Sequence, residues 1–319
     1  MKLSFLIPVY NSVSTLPRLV TSLLKQDGDI EFLFGVEPSK DSSLNYLIDK
    51  QKEDNRIKII VNETKLGPLG NRINLIKHSS GDLIAFSDSD DYLANDFAKV
   101  AVSGFDDDID VVCLDYLVEY KGKIKRNLFR PRRKQILTGE KACKKLLKDA
   151  SLRGFLWNKV FRKELFHFDN LLLLKEGMMF EDTPLVYSLF GSSRLVKILP
   201  YPLYIYVKGE GSLTSSKNKD RAHNHIDSFA VIKYASTKLG YPYNKDFASS
   251  YSRIKLSIFF DLYLSKKDGL SKDEIKMEKE RLRMLKGKDF PNEDHFSSSI
   301  LKNGKHILRL FIISILIYR

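Results

Sequence analysis

The densest group of side chains able to hold a divalent cation is the segment Asp88-Ser89-Asp90-Asp91. Three carboxylates this close together repel one another unless a cation or hydrogen-bond donors balance their charge. Mg2+ and Mn2+ bind carboxylate oxygens and keep coordination positions open for phosphate oxygens, as a diphosphate leaving group requires. The segment therefore predicts a metal-assisted diphosphate site. The alternative is a helix N-cap, because a helix is predicted to begin near Asn95 and helix N-termini favour acids.

A second acidic pair, Glu181-Asp182, precedes Pro184 at the predicted start of a helix. From spacing alone, such a pair is more typical of a helix cap than of a catalytic group. A carboxylate at this place could also accept the proton of a hydroxyl nucleophile, which contributes about 10²–10⁴-fold in rate. Arg72, on another predicted helix, is either a surface side chain or a cation that reaches substrate phosphates.

A series of β-α units should position these groups. Amphipathic segments between apolar runs predict helices. The apolar runs, each of which predicts a buried strand, are residues 3–9, 30–36, 57–61 and 83–86. This alternation is typical of a mostly parallel, doubly wound α/β sheet, whose ligands bind beyond the carboxyl ends of the strands. Tyr10, Glu37 and Asp88 each follow one of these runs, so we expect three loops to converge on one crevice.

From about residue 109 the regular alternation of strands and helices ends. Residues 110–114 predict a fifth strand, and the basic segment 121–134, in which eight Lys and Arg residues occur without an acid, predicts a hairpin. A helix is predicted over 138–147, and the chain beyond Ser212 is expected to be mainly helical.

Length and composition fit a globular protein of two parts. With 319 residues, 43% of them hydrophobic and 29% charged, the chain can bury a large core. We predict an α/β domain over residues 1–215 and a helical region over 216–319. Cys113 and Cys143 have no CxxC spacing, which argues against a structural zinc site or a disulfide framework. Neither GxGxxG nor GxxxxGK[ST] occurs, which disfavours dinucleotide dehydrogenases and P-loop enzymes.

The formal net charge of +13 indicates an anionic partner, which could be nucleic acid, an anionic membrane or a phosphate-bearing substrate. The basic segment 121–134 is either a solvated hairpin or a patch that faces an anionic acceptor or membrane. The apolar run 307–318 is shorter than the ~20 residues that cross a bilayer, so it is either an interfacial helix or a packed core helix. Because the N-terminus has no cleavable apolar signal, we expect a cytoplasmic protein, with peripheral contact to the inner face of the plasma membrane left open.

Three segments taken together resemble family 2 glycosyltransferases of the GT-A fold: FLIPVYN at 5–11, GDLIAFSDSDDYL at 81–93 and WNKVFR at 157–162. The similarity is specific in order and spacing and extends over residues 1 to about 215. It implies the nucleotide-diphospho-sugar transferase (GT-A) fold with a helical C-terminal extension. It also implies an inverting transfer of a sugar from a nucleotide donor, expected to be a UDP-sugar. The implied acceptor is a hydroxyl of a bacterial cell-surface glycan, of a polyol phosphate such as teichoic acid, or of a lipid-linked saccharide; nucleic acid is not expected.

The resemblance also implies roles for residues around the donor. Pro8 and Tyr10 would line the nucleoside pocket, Asp88 would contact the ribose or the metal, and Asp90 would coordinate Mn2+ or Mg2+ under the diphosphate. Family members usually carry Asp-Gly-Ser-Thr-Asp after the second strand, where this chain begins with Glu37 and keeps an acid at the position that reads the base.

Further roles follow from the same resemblance. Arg72 matches the arginine of the family's Ala-Arg-Asn segment and would contact the donor phosphates. Lys208 and Ser212 fall in a stretch similar to the mobile loop that closes over the pyrophosphate.

On the acceptor side, the resemblance makes Asp182 the catalytic base, with Glu181 beside it. Trp157 and Asp91 would also face the acceptor.

Two other function classes stay open. Metal-dependent phosphohydrolases and nucleotidyltransferases also place acids after parallel strands. A phosphohydrolase of the aspartyl type would, however, carry Asp-x-Asp after the first strand, where this chain has Pro8-Val9-Tyr10. The second class is a non-catalytic module that binds nucleic acid or another polyanion through the basic segment 121–134.

Overall fold

The computed structural model describes residues 1–127, 130–148, 151–167, 180–209, 221–241 and 269–286. In these ranges the strands are β1 (Leu3–Val9), β2 (Ile30–Val36), β3 (Ile57–Val61), β4 (Leu83–Phe86), β5 (Tyr92–Leu93), β6 (Ile109–Tyr120), β7 (Lys123–Arg126), β8 (Gln135–Thr138), β9 (Lys159–Arg162) and β10 (Leu195–Lys208). The helices of the same ranges are α1 (Leu16–Leu24), α2 (Ser43–Glu53), α3 (Gly67–His78), α4 (Phe97–Ser103), α5 (Gly139–Lys148), α6 (Asp182–Gly191), α7 (Arg221–Lys238) and α8 (Lys272–Lys286).

The strands form one sheet in the order β3-β2-β1-β4-β9-β6-β10-β5, with β7 paired to β6 and β8 to β10. The β3-β2-β1-β4 part is parallel, as predicted from the β-α alternation. β9 is antiparallel to both β4 and β6, so β6 and β10 again run in the direction of β1. The C-terminal ends of these parallel strands therefore lie along one side of the sheet, which we call the carboxyl edge.

The core surrounds β1, which is paired on both sides and buried on both faces. The Phe5 ring packs against the rings of Phe32 and Phe97, with centroids 5.8 and 5.6 Å apart. The predicted apolar face of α1 is buried. Full burial of one such side chain contributes about 1.5–3 kcal/mol. Because both faces of β1 are packed, the loop that follows it has a rigid base.

The predicted hairpin is formed by β6 and β7, and its first strand is longer than predicted. β6 extends to Tyr120 and pairs in antiparallel fashion with β7. The two turn residues, Lys121 and Gly122, have φ values of 49° and 72°. A two-residue turn with positive φ at both positions matches the twist of the flanking strands, and glycine adopts this conformation without steric cost.

Asp41, which lies just before α2, links two loops and does not cap the helix. The N-cap of α2 is Ser42, which makes no side-chain cap hydrogen bond. Asp41 instead accepts hydrogen bonds from the backbone N–H of Val13 (2.9 Å) and from the Ser43 hydroxyl (2.8 Å). It therefore ties the loop after β1 to the loop after β2.

The described residues form two compact units, and all described strands belong to the first. The first unit takes in 1–208 and 231–241, whereas the second includes 221–230 and 269–286. The predicted domain boundary at residue 215 stays a prediction.

In the second unit, α7 and α8 are joined by charged side chains. The buried Glu278 contacts His223 (2.9 Å) and Arg281 (2.8 Å), and Arg281 also donates to Asp227 (2.5 Å). None of the helices in the described ranges has both the length and the apolar character needed to cross a bilayer.

Candidate active site

Arg72 joins the two acidic segments at the carboxyl edge. This side chain of α3 is only 7% exposed. Its guanidinium donates hydrogen bonds to Glu181 Oε1 (2.7 Å), Asp88 Oδ1 (3.0 Å) and Asp182 Oδ1 (3.3 Å). Arg72 and Glu181 are 109 residues apart in the sequence. The structure therefore gathers three acids from two distant segments around one buried cation.

Burial raises the pKa of Asp182 to about 7. The charges of Glu181 and Asp88 act in the same direction, whereas the Arg72 guanidinium opposes them. Burial alone would lower the pKa of Arg72, but its three carboxylate neighbours raise it above the ordinary value, so Arg72 stays charged. A carboxyl group with a pKa near neutrality is well suited to act as a general base at neutral pH.

Asp182 is positioned by the first turn of α6 and by the loop before β9. Phe180, directly before the acidic pair, has a φ of 62°, an uncommon conformation that costs about 1–3 kcal/mol for a bulky residue. The fully buried Lys159 donates to two backbone oxygens of the loop before β9, at 2.7 and 2.6 Å. The Leu156 backbone of that loop hydrogen-bonds to Asp182. Lys159 thus supports the base through the loop, and burial lowers the pKa of Lys159 itself to about 8.

Residues 88–91 after β4 form a loop that we call the acid loop. This loop is anchored to α1 and to the loop before α1. Ser89 lies 2.7 Å from the hydroxyl oxygen of Ser12, and Arg18 donates to the backbone oxygen of Asp90 at 2.7 Å. The Asp88 side chain is 34% exposed, so it remains open to a ligand.

Asp88 and Asp90 are the residues that would hold a divalent ion, whose other ligands would have to come from substrate and water. Partial desolvation, together with the charge of Asp88, raises the pKa of Asp90 to about 6, which a cation would reverse. In the described ranges there is no group of three or more His, Cys, Asp or Glu side chains that could hold a metal. Mg2+ usually needs only one or two carboxylates when substrate phosphates complete its coordination.

At the ends of β2 and β3, where the nucleoside is expected to bind, the carboxyl edge contains buried polar atoms that lack hydrogen-bond partners. Two of these atoms are Glu37 Oε1 and Asn62 Nδ2. Buried polar groups are normally hydrogen-bonded, so these two atoms are available to bind a ligand. Glu37 follows β2, Asn62 follows β3, and Asn62 also lines a groove of about 560 Å³ beside α3.

Pro8 and Tyr10 lie at the end of β1, beside these atoms. Pro8 pairs with Gly35 of β2 and is partly buried. Tyr10 is 44% exposed, and the Lys65 ammonium lies 3.8 Å from the centre of its ring. An exposed aromatic face at this edge can stack on a planar base.

Trp157 and Asp91, predicted on the acceptor side, are both buried. Trp157 is 4% exposed and stacks between Tyr204 and Phe155, with ring centroids at 4.5 and 4.7 Å. Asp91 is 0% exposed and accepts hydrogen bonds from Tyr204 Oη and the Val207 N–H, both at 2.7 Å. Burial raises the pKa of Asp91 well above its usual value, to which neighbouring acids add. These positions join the acid loop to β10, and their place on the acceptor side stays a prediction.

Lys208 lies at the end of β10, with its ammonium 5.6 Å from the centre of the Tyr120 ring. Ser212 lies outside the described residues, as do residues 177–179 and the apolar run 307–318.

Sequence reasoning missed Asn62, Lys159 and Tyr204. The strand-end rule that selects Glu37 also applies to Asn62, which directly follows β3. No local pattern distinguishes Lys159 or Tyr204, because their importance depends on burial against distant loops.

The sequence matches the Glycosyl transferase family 2 pattern over residues 4–168. It is 29% identical over 239 residues to the uncharacterized glycosyltransferase EpsJ of Bacillus subtilis, covering 73% of this chain and 68% of EpsJ. It is 25% identical over 222 residues to the poly(ribitol-phosphate) beta-N-acetylglucosaminyltransferase TarS of Staphylococcus aureus, covering 68% of this chain but only 37% of TarS.

Solved structures share the fold. The structure of S. aureus TarS 1–349 in complex with UDP-GlcNAc matches with a TM-score of 0.70 at 20% identity, covering 89% of this chain and 80% of that one. The mannosyltransferase PcManGT of Pyrobaculum calidifontis, in complex with GDP-Man and Mn2+, matches with a TM-score of 0.54 at 13% identity, covering 90% and 81%. The predicted GT-A fold is confirmed.

Proposed function

Since this chain belongs to glycosyltransferase family 2, we propose that it transfers a sugar from a UDP-sugar to a hydroxyl group of a bacterial cell-surface glycan, teichoic acid or lipid-linked acceptor, with inversion at the anomeric carbon. The observation that carries this proposal is the carboxyl edge itself. A buried guanidinium there holds three carboxylates, and the buried atoms Glu37 Oε1 and Asn62 Nδ2 at the same edge have no hydrogen-bond partner. TarS, which shares the fold, is named for the transfer of N-acetylglucosamine and binds UDP-GlcNAc.

Asp182 is the proposed catalytic base. Its Oδ accepts the proton of the acceptor hydroxyl while the hydroxyl oxygen forms a bond to the anomeric carbon. The bond from that carbon to the β-phosphate oxygen breaks on the opposite face, and its electron pair leaves with the nucleoside diphosphate. The pKa of about 7 leaves a large fraction of Asp182 ionised at neutral pH and ready to take the proton.

Glu37, Asn62 and Tyr10 are the proposed nucleoside contacts. The Glu37 carboxylate can accept a hydrogen bond from a base N–H, and the Asn62 amide can donate one to a base or ribose oxygen. Both atoms are buried and without partners, so binding a nucleoside would satisfy them.

Asp88 and Asp90 would hold Mn2+ or Mg2+. When bound, the ion neutralises charge on the departing diphosphate. Arg72 donates hydrogen bonds to both Asp88 and Asp182, so it fixes the position of the proposed metal-binding acid relative to the proposed base.

The test is turnover of a panel of UDP-, GDP- and TDP-sugars with Mn2+ or Mg2+ present. We expect release of a nucleoside diphosphate and a glycoside of inverted configuration. Asp182→Asn should lower kcat by about 10²–10⁴-fold without changing the affinity for the free nucleotide. The control variant is Asp49→Asn, whose carboxylate is 70% exposed on α2. Release of a nucleoside monophosphate and a sugar phosphate would instead identify a phosphohydrolase and refute the proposal.

A further inference from the structure

The segment 121–134 forms a cationic surface that the donor site does not use. We call β7 together with residues 121–122 and 130–134 the basic hairpin. Its cationic side chains are exposed: Lys121, Lys123, Lys125, Arg126, Arg130, Arg132, Arg133 and Lys134. The sequence from 121 to 134 contains no acid. A surface with one sign of charge over this length attracts a partner of the opposite sign.

The basic hairpin begins at the carboxyl edge, where the proposed chemistry takes place. β6 runs parallel to β10 and in the direction of β1, so Tyr120 ends β6 on the side where Val9 ends β1. Lys208 pairs with Tyr120 from β10, and Lys123 pairs with it from β7. Directly paired residues point to the same face of a sheet, so Lys123 and Lys208 share the face of Tyr120. The ammonium groups of Lys208 and Lys121 lie 5.6 and 5.5 Å from the centre of the Tyr120 ring.

A short series of contacts connects the hairpin strand to the acid loop. Tyr92 donates a hydrogen bond to Glu119 of β6 (2.8 Å), and Arg18 lies 3.7 Å from the same carboxylate. Arg18 also donates to the backbone oxygen of Asp90 at 2.7 Å. These contacts involve Glu119, which lies on the face of β6 opposite to the one that Lys123 and Lys125 share with Tyr120 and Val118. The lysines are on the same face as Tyr204, whose hydroxyl donates a hydrogen bond to Asp91 after β4.

The lysines of β7 form a row. Side chains alternate between the two faces of a strand, so Lys123 and Lys125 share one face and are separated by about 6.6–6.8 Å along the strand. Lys123 and Lys125 are both exposed, so this row is accessible. A row of cations along an extended backbone is complementary to a linear chain with repeated negative charges.

We propose that the basic hairpin binds the acceptor, and that this acceptor is a linear polymer with repeated phosphate charges. This inference rests on the proposed function, since it assigns the acceptor of the same site. A polymer that presents a hydroxyl group to Asp182 must pass the carboxyl edge, where its neighbouring charged units meet Lys123 and Lys125. The position beside the acid loop favours this partner over an anionic bilayer, which would not need the cations next to the donor site.

The test measures binding of fluorescein-labelled poly(ribitol phosphate) to the full chain by fluorescence anisotropy, at 50 and 200 mM salt. The variant is K123S/K125S. The control is K272S/K276S, which removes the same charge from exposed positions of α8. We expect the variant to bind the polymer at least tenfold more weakly at 50 mM salt. The slope of log affinity against log salt should fall by about 1.4, since each phosphate contact contributes about 0.7 on a single-stranded polyanion.

Two further measurements identify the role of the surface. The affinity for UDP and the rate of donor hydrolysis should not change in K123S/K125S, whereas KM for the polymer as acceptor should rise about tenfold. Vesicles of phosphatidylglycerol and phosphatidylcholine serve as the membrane probe. The inference is overturned if the variant binds the polymer like the wild type, if the α8 control loses as much affinity, or if only vesicle binding falls.

Failure of the proposed function has a different signature. In that case the unmodified chain would turn over no nucleotide sugar, whatever the hairpin variant does to polymer binding. Loss of polymer binding in K123S/K125S together with normal donor hydrolysis supports both proposals.

Discussion

Replacing Arg72 by Met tests the central arrangement of the site. The change keeps an unbranched side chain but removes the guanidinium, which contacts three carboxylates at 2.7–3.3 Å and is 7% exposed. Removal of one partner from a buried ion pair costs about 3–5 kcal/mol. The Asp88 and Asp182 side chains are 34% and 23% exposed, so water can hydrate part of the remaining charge. We therefore expect a loss at the lower end of that range, about 3 kcal/mol at pH 8.

The loss should depend on pH in a defined direction. Without Arg72, the pKa of Asp182 rises further above its already raised value of about 7. An acid whose pKa is higher in the folded than in the unfolded state holds a proton that the unfolded chain has released, so stability falls as pH rises. Arg72→Met should therefore be less destabilised at pH 5.5, where the carboxyls take up protons, than at pH 8.

Urea unfolding at the two pH values measures this difference. Trp157 is the sole tryptophan and is buried, so its fluorescence reports the unfolding of the first unit. The control is Lys52→Met, because the Lys52 side chain is 71% exposed and its partner Asp49 is 70% exposed, so this surface ion pair should contribute about 1 kcal/mol or less. If Arg72→Met unfolds within 1 kcal/mol of the wild type at pH 8 and shows no pH dependence, the acids do not need this cation, and the reasoning fails.

Three other outcomes follow from the structure. Because ionised Asp182 is the proposed base and its pKa is about 7, kcat/KM should rise about tenfold per pH unit below pH 7 and level off above it; initial rates from pH 5.5 to 8.5 measure this, and a flat profile would argue against the assignment. Gly35→Ala places a Cβ 2.0 Å from Asn71 Oδ1, so unfolding by urea should show a loss of about 1–3 kcal/mol, and an unchanged midpoint would contradict the close packing. Trp157→Ala removes a stacked ring that is 4% exposed, so circular dichroism during unfolding should show a loss of about 3–5 kcal/mol, whereas a loss below 1 kcal/mol would mean that the stack is not structural.

Local sequence patterns were sufficient to predict the strands of the parallel half of the sheet. The strands predicted at 3–9, 30–36, 57–61 and 83–86 have the observed bounds, since a buried parallel strand is a continuous apolar run whatever its partner is. The same patterns located Tyr10, Glu37 and Asp88 at the carboxyl edge. The antiparallel insertion of β9 between β4 and β6 has no local signal, because WNKVFR does not specify its neighbours.

The acidic side chains also combine features that local sequence predicts with features that it does not. Asp88, Asp90 and Asp91 lie within four residues and cannot be told apart by local sequence, yet Asp91 is 0% exposed against Tyr204 while the Asp88 side chain is 34% exposed. Which acid is buried depends on how the acid loop meets β10, more than a hundred residues later in the chain.

The amino-acid sequence by itself determined the order of β-α units, the edge at which polar residues collect, and the family to which the chain belongs, because these depend on short-range periodicity and on motif spacing. Only the tertiary structure decided that Arg72 gathers Asp88, Glu181 and Asp182, and that Trp157 packs in the core. These contacts join residues from distant segments, and the burial that shifts their pKa values exists only when the loops are packed together.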